Sequence, residues 1–318
     1  ILVANSFMQH PVGYALRNGR AEMDSFAAIL QNGYLPGQYL HIFTDGILTA
    51  GVIIASVSAW HLLKNNHVDF YSKSIRFGLG AAVIGGLLVS GAGHFQGQTV
   101  AKLQPMKVAA FEALWETHDP APFAIVAGID QDGKKNNFEI GVPGALSFVV
   151  HDSFKGEVKG INDLQKEAEL KHGAGDYVPH VTSMFWSFRV MILAGILMLV
   201  TSIVGYYLHM KGKLLNNKAA LKAIYHMLAL PFIANSTGWY VAEAGRQPWL
   251  VYGLQKTADG ASKVVTAPEI WTTIIGFTAV YVVMAIAAIY LAVKHIQAGP
   301  AGNPAHDVVE QEEATLWK

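Results

Sequence analysis

Three side chains in the stretch GWYVAEAGRQPW, residues 238–249, could do chemistry together. At about 100° per residue, Trp239, Glu243 and Arg246 stand at i, i+4 and i+7, so one face of one helix presents an aromatic ring, a carboxylate and a guanidinium. They close an apolar stretch, and ionisable groups at membrane depth face a cavity, a partner or a cofactor because lipid solvates them poorly. Two readings stay open. One is an internal salt bridge snorkelling to the interface, with Trp249 in an aromatic belt; the other is a redox-cofactor site. His41, near the start of the first long apolar stretch, and Met191, about two and a half turns into the third, bear on the choice. Alone, each reads as a hydrogen-bonded or packing residue. Together they form a recognised axial pair for a six-coordinate electron-transfer haem. The other histidines fall in loops, tails or helix ends, with His94 the nearest competitor.

The elements that must hold these residues are membrane helices. Of 318 residues 52% are hydrophobic and only 14% charged, and mean hydropathy is +0.30, too apolar for an ordinary soluble enzyme. Lys+Arg and Asp+Glu balance at 23 each, which gives no support for a nucleic-acid partner. The absence of cysteine excludes disulfides, thiolate metal sites and iron–sulfur clusters together. A spanning helix needs roughly 20 mostly apolar residues. Five stretches qualify, about 36–63, 77–96, 182–208, 219–243 and 269–293. ILVANSFM at residues 1–8 has no basic n-region and no small-residue cleavage site, and is expected to be the tail of a partial helix. The fold class expected is therefore all-α, an integral membrane bundle of five full spans plus that partial first helix. Pro231 should kink the fifth span, and the Gly/Ala-rich run at 78–95 should pack closely against a neighbour.

Lys64, Lys73 and Arg76 in one short connection, and Lys211, Lys213, Lys218 and Lys222 in another, place both on the cytoplasmic side by the positive-inside tendency. Alternation then assigns residues 1–96 to the partial helix, an outer loop and two spans, 97–181 to a long outer loop, 182–293 to three spans, and 294–318 to a cytoplasmic tail. DQDGKKNN at 130–137 lacks calcium-loop spacing and reads as a solvated hairpin.

LVANSFMQHPVG, GRAEMDSFAAIL, YLHIFTDGILTAG, KVAAFEALWET, FWSFRVMILAG and GWYVAEAGRQPW occur in the order and spacing of subunit I of the cytochrome bd-type quinol oxidases, which the chain resembles over nearly its whole length. The resemblance implies a subunit of a terminal respiratory oxidase in the bacterial cytoplasmic membrane. Such a subunit takes electrons from quinol at the outer face and passes them through a low-spin haem b and a high-spin haem b to a haem d that reduces O2. A second large membrane subunit, with an optional small single-helix subunit, is the implied partner. By motif, His41 and Met191 match the axial ligands of the low-spin haem b. Glu243 matches the ligand side of the high-spin haem b, Trp239 the aromatic between haems, and Arg246 and Arg189 the cations near haem propionates. Arg189 and Met191 are about 200° apart on their helix, so Arg189 must reach a haem edge from the side. Lys107 and Glu112 match a pair implicated in quinol oxidation. Their i, i+5 spacing is not that of a helix salt bridge, and each alone reads as a solvated loop charge. Asn5 resembles a position on a proton route to the oxygen site, or serves as a cap.

Two features depart from the family pattern. Asp45, one turn below His41, could orient that ring as a hydrogen-bonding carboxylate or destabilise the site if unpaired. The histidine that ligates haem d and the acidic pair leading to it are expected outside this chain, so the chain by itself should not reduce oxygen. The alternative readings are a haem-b quinol dehydrogenase without oxygen reduction and a non-redox transporter. Transporters of this size often carry an internal repeat, and none is visible.

Overall fold

The computed structural model describes residues 1–262 and 264–300. The chain opens with α1 (Leu2–Gln9), a hairpin of β1 (Tyr14–Arg17) and β2 (Arg20–Met23), and the short α2 (Phe26–Leu30). Two long antiparallel helices follow, α3 (Leu35–Leu63) and α4 (Val68–Leu103). Next come α5 (Pro105–Glu112), the antiparallel hairpin β3 (Phe123–Asp130) and β4 (Lys135–Val142), α6 (Ala145–His151) and α7 (Ile161–His172). The chain continues through α8 (Val181–Met210), α9 (Lys218–His226), α10 (Leu230–Ala244), a small ladder of β5 (Trp249–Val251) and β6 (Gln255–Lys256), and α11 (Ala267–Ala298).

Among the described residues four helices are long and apolar enough to cross a membrane: α3, α4, α8 and α11. The stretch expected as a single span at 219–243 is instead a broken rod. A 3-10 turn at Met227–Ala229 separates α9 from α10, and Pro231 sits in the first turn of α10, where its missing N–H costs nothing. Met227, Ala229 and Leu230 all keep right-handed helical dihedrals, so the kink expected at Pro231 takes the form of a 3-10 break within one rod. Pro36, Pro105 and Pro268 stand in the first turns of α3, α5 and α11. Residues 301–318, most of the expected cytoplasmic tail, lie outside the described residues.

α3 and α4 form the main seam, and its closeness depends on glycine. A Cβ on Gly51 would lie 2.5 Å from Ala82 N, and one on Gly85 would lie 2.4 Å from Leu48 N. This contact of backbone on backbone substitutes for the hydrophobic drive that lipid removes. Leu48, Val52, Ile75, Leu79, Met198, Leu221 and Ile224 fill the core between α3, α4, α8 and α9. α11 is exposed along its length and meets the bundle near its C-terminal end, where the His61 ring bonds the Ile296 carbonyl at 2.8 Å.

At 1.5 Å per residue the 36 residues of α4 extend about 54 Å, more than the ~30 Å hydrocarbon core, so its last turns rise into the segment that follows. That segment, 104–180, has its own core of Ala109, Ala113, Trp115, Ala124, Ala127 and Ile161, closed onto α8 by Phe185. The DQDG turn joins β3 to β4, with Gly133 N donating to Asp130 Oδ1 at 2.8 Å.

Candidate functional site

Glu243 lies in the last turn of α10, and Arg246 follows just beyond its end. Arg246 Nη2 contacts Glu243 Oε2 at 2.6 Å, while Arg246 Nε donates to Trp249 O at 3.2 Å. The other oxygen of Glu243 accepts from Asn5 Nδ2 at 2.6 Å. Asn5 Oδ1 in turn accepts from Gln38 Nε2 at 2.6 Å, and Gln38 Oε1 accepts from Ser6 Oγ at 2.8 Å. A continuous polar chain therefore runs from α10 through α1 to the start of α3. Arg246 is 3% exposed, yet its Nη1 is buried with no partner. A buried guanidinium N–H left open is costly and suits an anionic acceptor.

Lys107 and Glu112 are buried at 2% and 3% exposure, so neither is the solvated charge that each suggests alone. They do not meet. Lys107 Nζ donates to Gln9 Oε1 at 2.6 Å and to Ala242 O at 3.0 Å, beneath the Glu243 end of α10. Gln9 Nε2 also donates to Ala242 O, and Gln104 Nε2 donates to Gln9. Glu112 accepts instead from Arg189, with Nη2 to Oε2 at 2.6 Å and Nη1 to Oε1 at 3.4 Å. Arg189 Nε donates to Ala124 O at 2.7 Å, and its guanidinium lies 4.3 Å from the Phe185 ring centroid and 4.4 Å from that of Phe123. Arg189, expected at a haem edge, is thus committed in this structure to Glu112 and an aromatic cage. Burial pushes the Glu112 carboxyl up to about 7 against the pull of Arg189. Burial pushes the Lys107 ammonium down to about 7, with Arg246 adding to the fall and Glu243 opposing it.

His41 lies on α3 and Met191 on α8; α3 packs chiefly on α4, and α8 on α10 and α4, with Leu48 of α3 and Met198 of α8 in one core. Each side chain is backed by a glycine of an intervening helix. A Cβ on Gly93 of α4 would come 3.3 Å from His41 Cε1, and one on Gly238 of α10 would come 3.0 Å from Met191 Sδ. His41 Nδ1 is buried with no partner, so Asp45 does not hold it as a hydrogen-bonding carboxylate would. His94 is engaged elsewhere, its Nε2 at 2.7 Å from Asp152 Oδ1, with Gln98 donating to Asp152 Oδ2 at 2.8 Å. Trp239, on the Glu243 face of α10, is 39% exposed.

These residues fit a haem better than a bare ion. Among the described residues no group of three or more His, Asp or Glu gathers as an ion site would require, whereas a porphyrin supplies its own equatorial nitrogens and asks the protein for one or two axial donors. A buried imidazole nitrogen without a partner on His41, the Met191 thioether on α8, and an open N–H on Arg246 answer that need. Both Glu243 oxygens already accept hydrogen bonds, and ligation would use their remaining lone pairs. Sequence reasoning missed Gln9, Gln38, Gln104 and Ser6, which link Lys107 and Glu243 to α1. Single amides and hydroxyls at helix ends carry no spacing signal.

Comparison with known proteins agrees across the chain. The family model for cytochrome bd terminal oxidase subunit I matches residues 1–300. The chain is 41% identical over 309 residues to cytochrome bd ubiquinol oxidase subunit 1 of Bacillus subtilis, covering 97% of this chain and 66% of that protein. It is 27% identical over 374 residues to cytochrome bd-II ubiquinol oxidase subunit 1 of Escherichia coli, covering 98% of this chain and 72% of that protein. A solved structure of bd oxidase from Geobacillus thermodenitrificans superposes with a TM-score of 0.80 at 27% identity, over 94% of this chain and 66% of that one. The chain thus spans about two thirds of the length of these relatives.

Proposed function

Because the chain belongs to the cytochrome bd terminal oxidase subunit I family, we propose that it serves in a quinol:oxygen oxidoreductase of the bacterial cytoplasmic membrane. Quinol is oxidised at the face formed by residues 104–180, the outer face, and a second large membrane subunit, with an optional small one, completes the enzyme. The broken rod of α9 and α10 is then a fifth crossing. His41 and Met191 would hold a low-spin haem b. Glu243 would hold a high-spin haem b, with Trp239 between the haems and Arg246 at a propionate, and a haem d would be the oxygen-reducing group. When bound, haem would supply one-electron carriage and the reduction of oxygen.

The chain's own residues handle protons and position. Quinol gives up two protons as it gives up two electrons, and a carboxylate whose pKa lies near the working pH is suited to accept one. Glu112, pushed up to about 7 by burial, has that property, and Arg189 fixes its orientation through two contacts. Lys107 holds the end of α10 through Ala242 O and, with its pKa near 7, changes charge in the same range. Asn5 orients Glu243 and continues the polar chain through Gln38 to Ser6.

The observation that supports the reading best is the burial of two opposite charges, Lys107 and Glu112, in one short helix beside α10 and α8. Burial this deep is expensive without a use. The test is Glu112→Gln in the assembled oxidase. Quinol-driven oxygen uptake should fall at least about 100-fold, the usual contribution of a positioned base, with the haem spectrum intact. Bleached haem would assign the residue a structural role instead.

A further inference from the structure

The end of the bundle opposite residues 104–180 carries a concentration of positive charge. The α3–α4 connection and the first turns of α4 hold Lys64, Lys73 and Arg76, while the α8–α9 connection and α9 hold Lys211, Lys213, Lys218 and Lys222. Asp69 is the one carboxylate across residues 64–76 and 209–222, so seven cations face a single anion. Between the two connections lies a cavity of about 210 Å³ lined by Ser72, His209, Gly212, Leu214 and Leu215. At ~30 Å³ per water this is room for roughly seven waters, enough for a tetrahedral oxyanion and part of its ester.

The lining has free polar groups and a charge to match. Ser74 engages Ser58 through its hydroxyl at 2.9 Å, whereas Ser72 Oγ and the His209 ring have no such partner among the described residues. Ser72 and Arg76 are one turn apart on the same face of α4, and Arg76 is exposed. Leu214, 1% exposed, closes the floor. Beside the rim the chemistry changes abruptly, because Leu215, itself part of the lining, and Met210, next to His209, are exposed apolar side chains. A ligand using both parts needs an anionic head and an apolar tail.

We propose that this cavity binds a phosphate group carried by an anionic phospholipid, with Ser72 and His209 hydrogen-bonding the phosphate oxygens, Arg76 supplying the countercharge, and the exposed apolar rim receiving the acyl chains. A free phosphate shares the head chemistry and lacks the tail. The site is independent of the redox residues, none of which lies on these connections.

The test uses the purified membrane protein containing this chain, delipidated in mild detergent and examined by native mass spectrometry. It is titrated with phosphatidylglycerol, with phosphatidylcholine of the same acyl chains, and separately with inorganic phosphate. One phosphatidylglycerol should be retained in preference to phosphatidylcholine. Retention should drop roughly fivefold in Arg76→Gln, the effect of about 1 kcal/mol per cation near an anionic surface. It should drop at least as far in Ser72→Leu, which fills the cavity and leaves every charge in place, and stay unchanged in Lys155→Gln at the opposite end. Equal retention of the two lipids, or no effect of Ser72→Leu, would overturn the proposal. Binding of inorganic phosphate without a lipid preference would overturn the lipid as its source.

Discussion

Replacing Arg189 by Gln tests the assignment of Glu112 most directly, because it removes a charge that touches the carboxylate and leaves the carboxylate itself in place. Arg189 Nη2 lies 2.6 Å from Glu112 Oε2, and both side chains are withdrawn from water. Two unit charges about 4 Å apart interact by about 4 kcal/mol at an effective dielectric of 20, which at 1.36 kcal/mol per unit corresponds to roughly 3 pKa units. Water entering the vacated space and the new amide's hydrogen bonds reduce that figure, so an upward shift of about 1 to 2 units is expected. Glu112 starts near 7 because burial already raises it while Arg189 pulls it down. Only the ionised form accepts a quinol proton, so the rise of quinol oxidation with pH should move in the alkaline direction by the same amount. At pH 7 turnover should then fall roughly fivefold for a one-unit shift and about fiftyfold for two. The assay is quinol-driven oxygen uptake from pH 5 to 9, with the haem spectrum as the control for folding and Arg189→Lys as the variant that keeps the charge. A folded Arg189→Gln variant with an unmoved pH profile would refute Glu112 as the acceptor.

Two further outcomes follow from contact distances. Gly238→Ala places a methyl 3.0 Å from Met191 Sδ and should displace the thioether by a few tenths of an ångström. Because a thioether ligand raises the haem potential, redox titration should find a lower midpoint or a loss of the low-spin signal, and an unchanged potential would separate Met191 from the iron. Gly85→Ala drives a methyl to 2.4 Å from Leu48 N, where the neighbour is backbone and cannot rotate away; thermal stability in detergent should fall by about 1–3 kcal/mol.

The sequence is most informative where function is written along one helix. The 100° spacing brought Glu243 and Arg246 onto related faces, and they do pair, at i, i+3. The same arithmetic separates Lys107 from Glu112, since five residues on a helix turn the side chain by about 140°. The structure agrees, sending one toward Gln9 and the other toward Arg189. What spacing cannot supply is the partner itself. Arg189 lies 77 residues beyond Glu112 and reaches it only because α5 packs on α8. Pro231 was legible as a disruption, but the 3-10 turn at Met227–Ala229 that precedes it was not, because no spacing in the sequence marks where a helix tightens from i−4 to i−3 hydrogen bonds.

The charges at this end of the bundle give Lys107 a second, separable test. Glu243 pairs with Arg246, whereas Lys107 Nζ is held only by the neutral oxygens of Gln9 and Ala242, so its charge is buried without a carboxylate in contact whenever it is protonated. Folding depresses its pKa from 10.5 to about 7, so the folded protein binds this proton less tightly than the unfolded chain does. Stability from this group therefore rises with pH between about 7 and 10.5, and the penalty is complete below 7. A shift of that size corresponds to an upper bound of about 5 kcal/mol. Lys107→Met removes the penalty and also loses the two hydrogen bonds to Gln9 and Ala242, each contributing about 1 kcal/mol. The variant should thus unfold at a higher temperature than the parent at pH 6, with the advantage shrinking or reversing by pH 10. If the difference in unfolding temperature is the same at both pH values, Lys107 is not the group whose charge the fold resists.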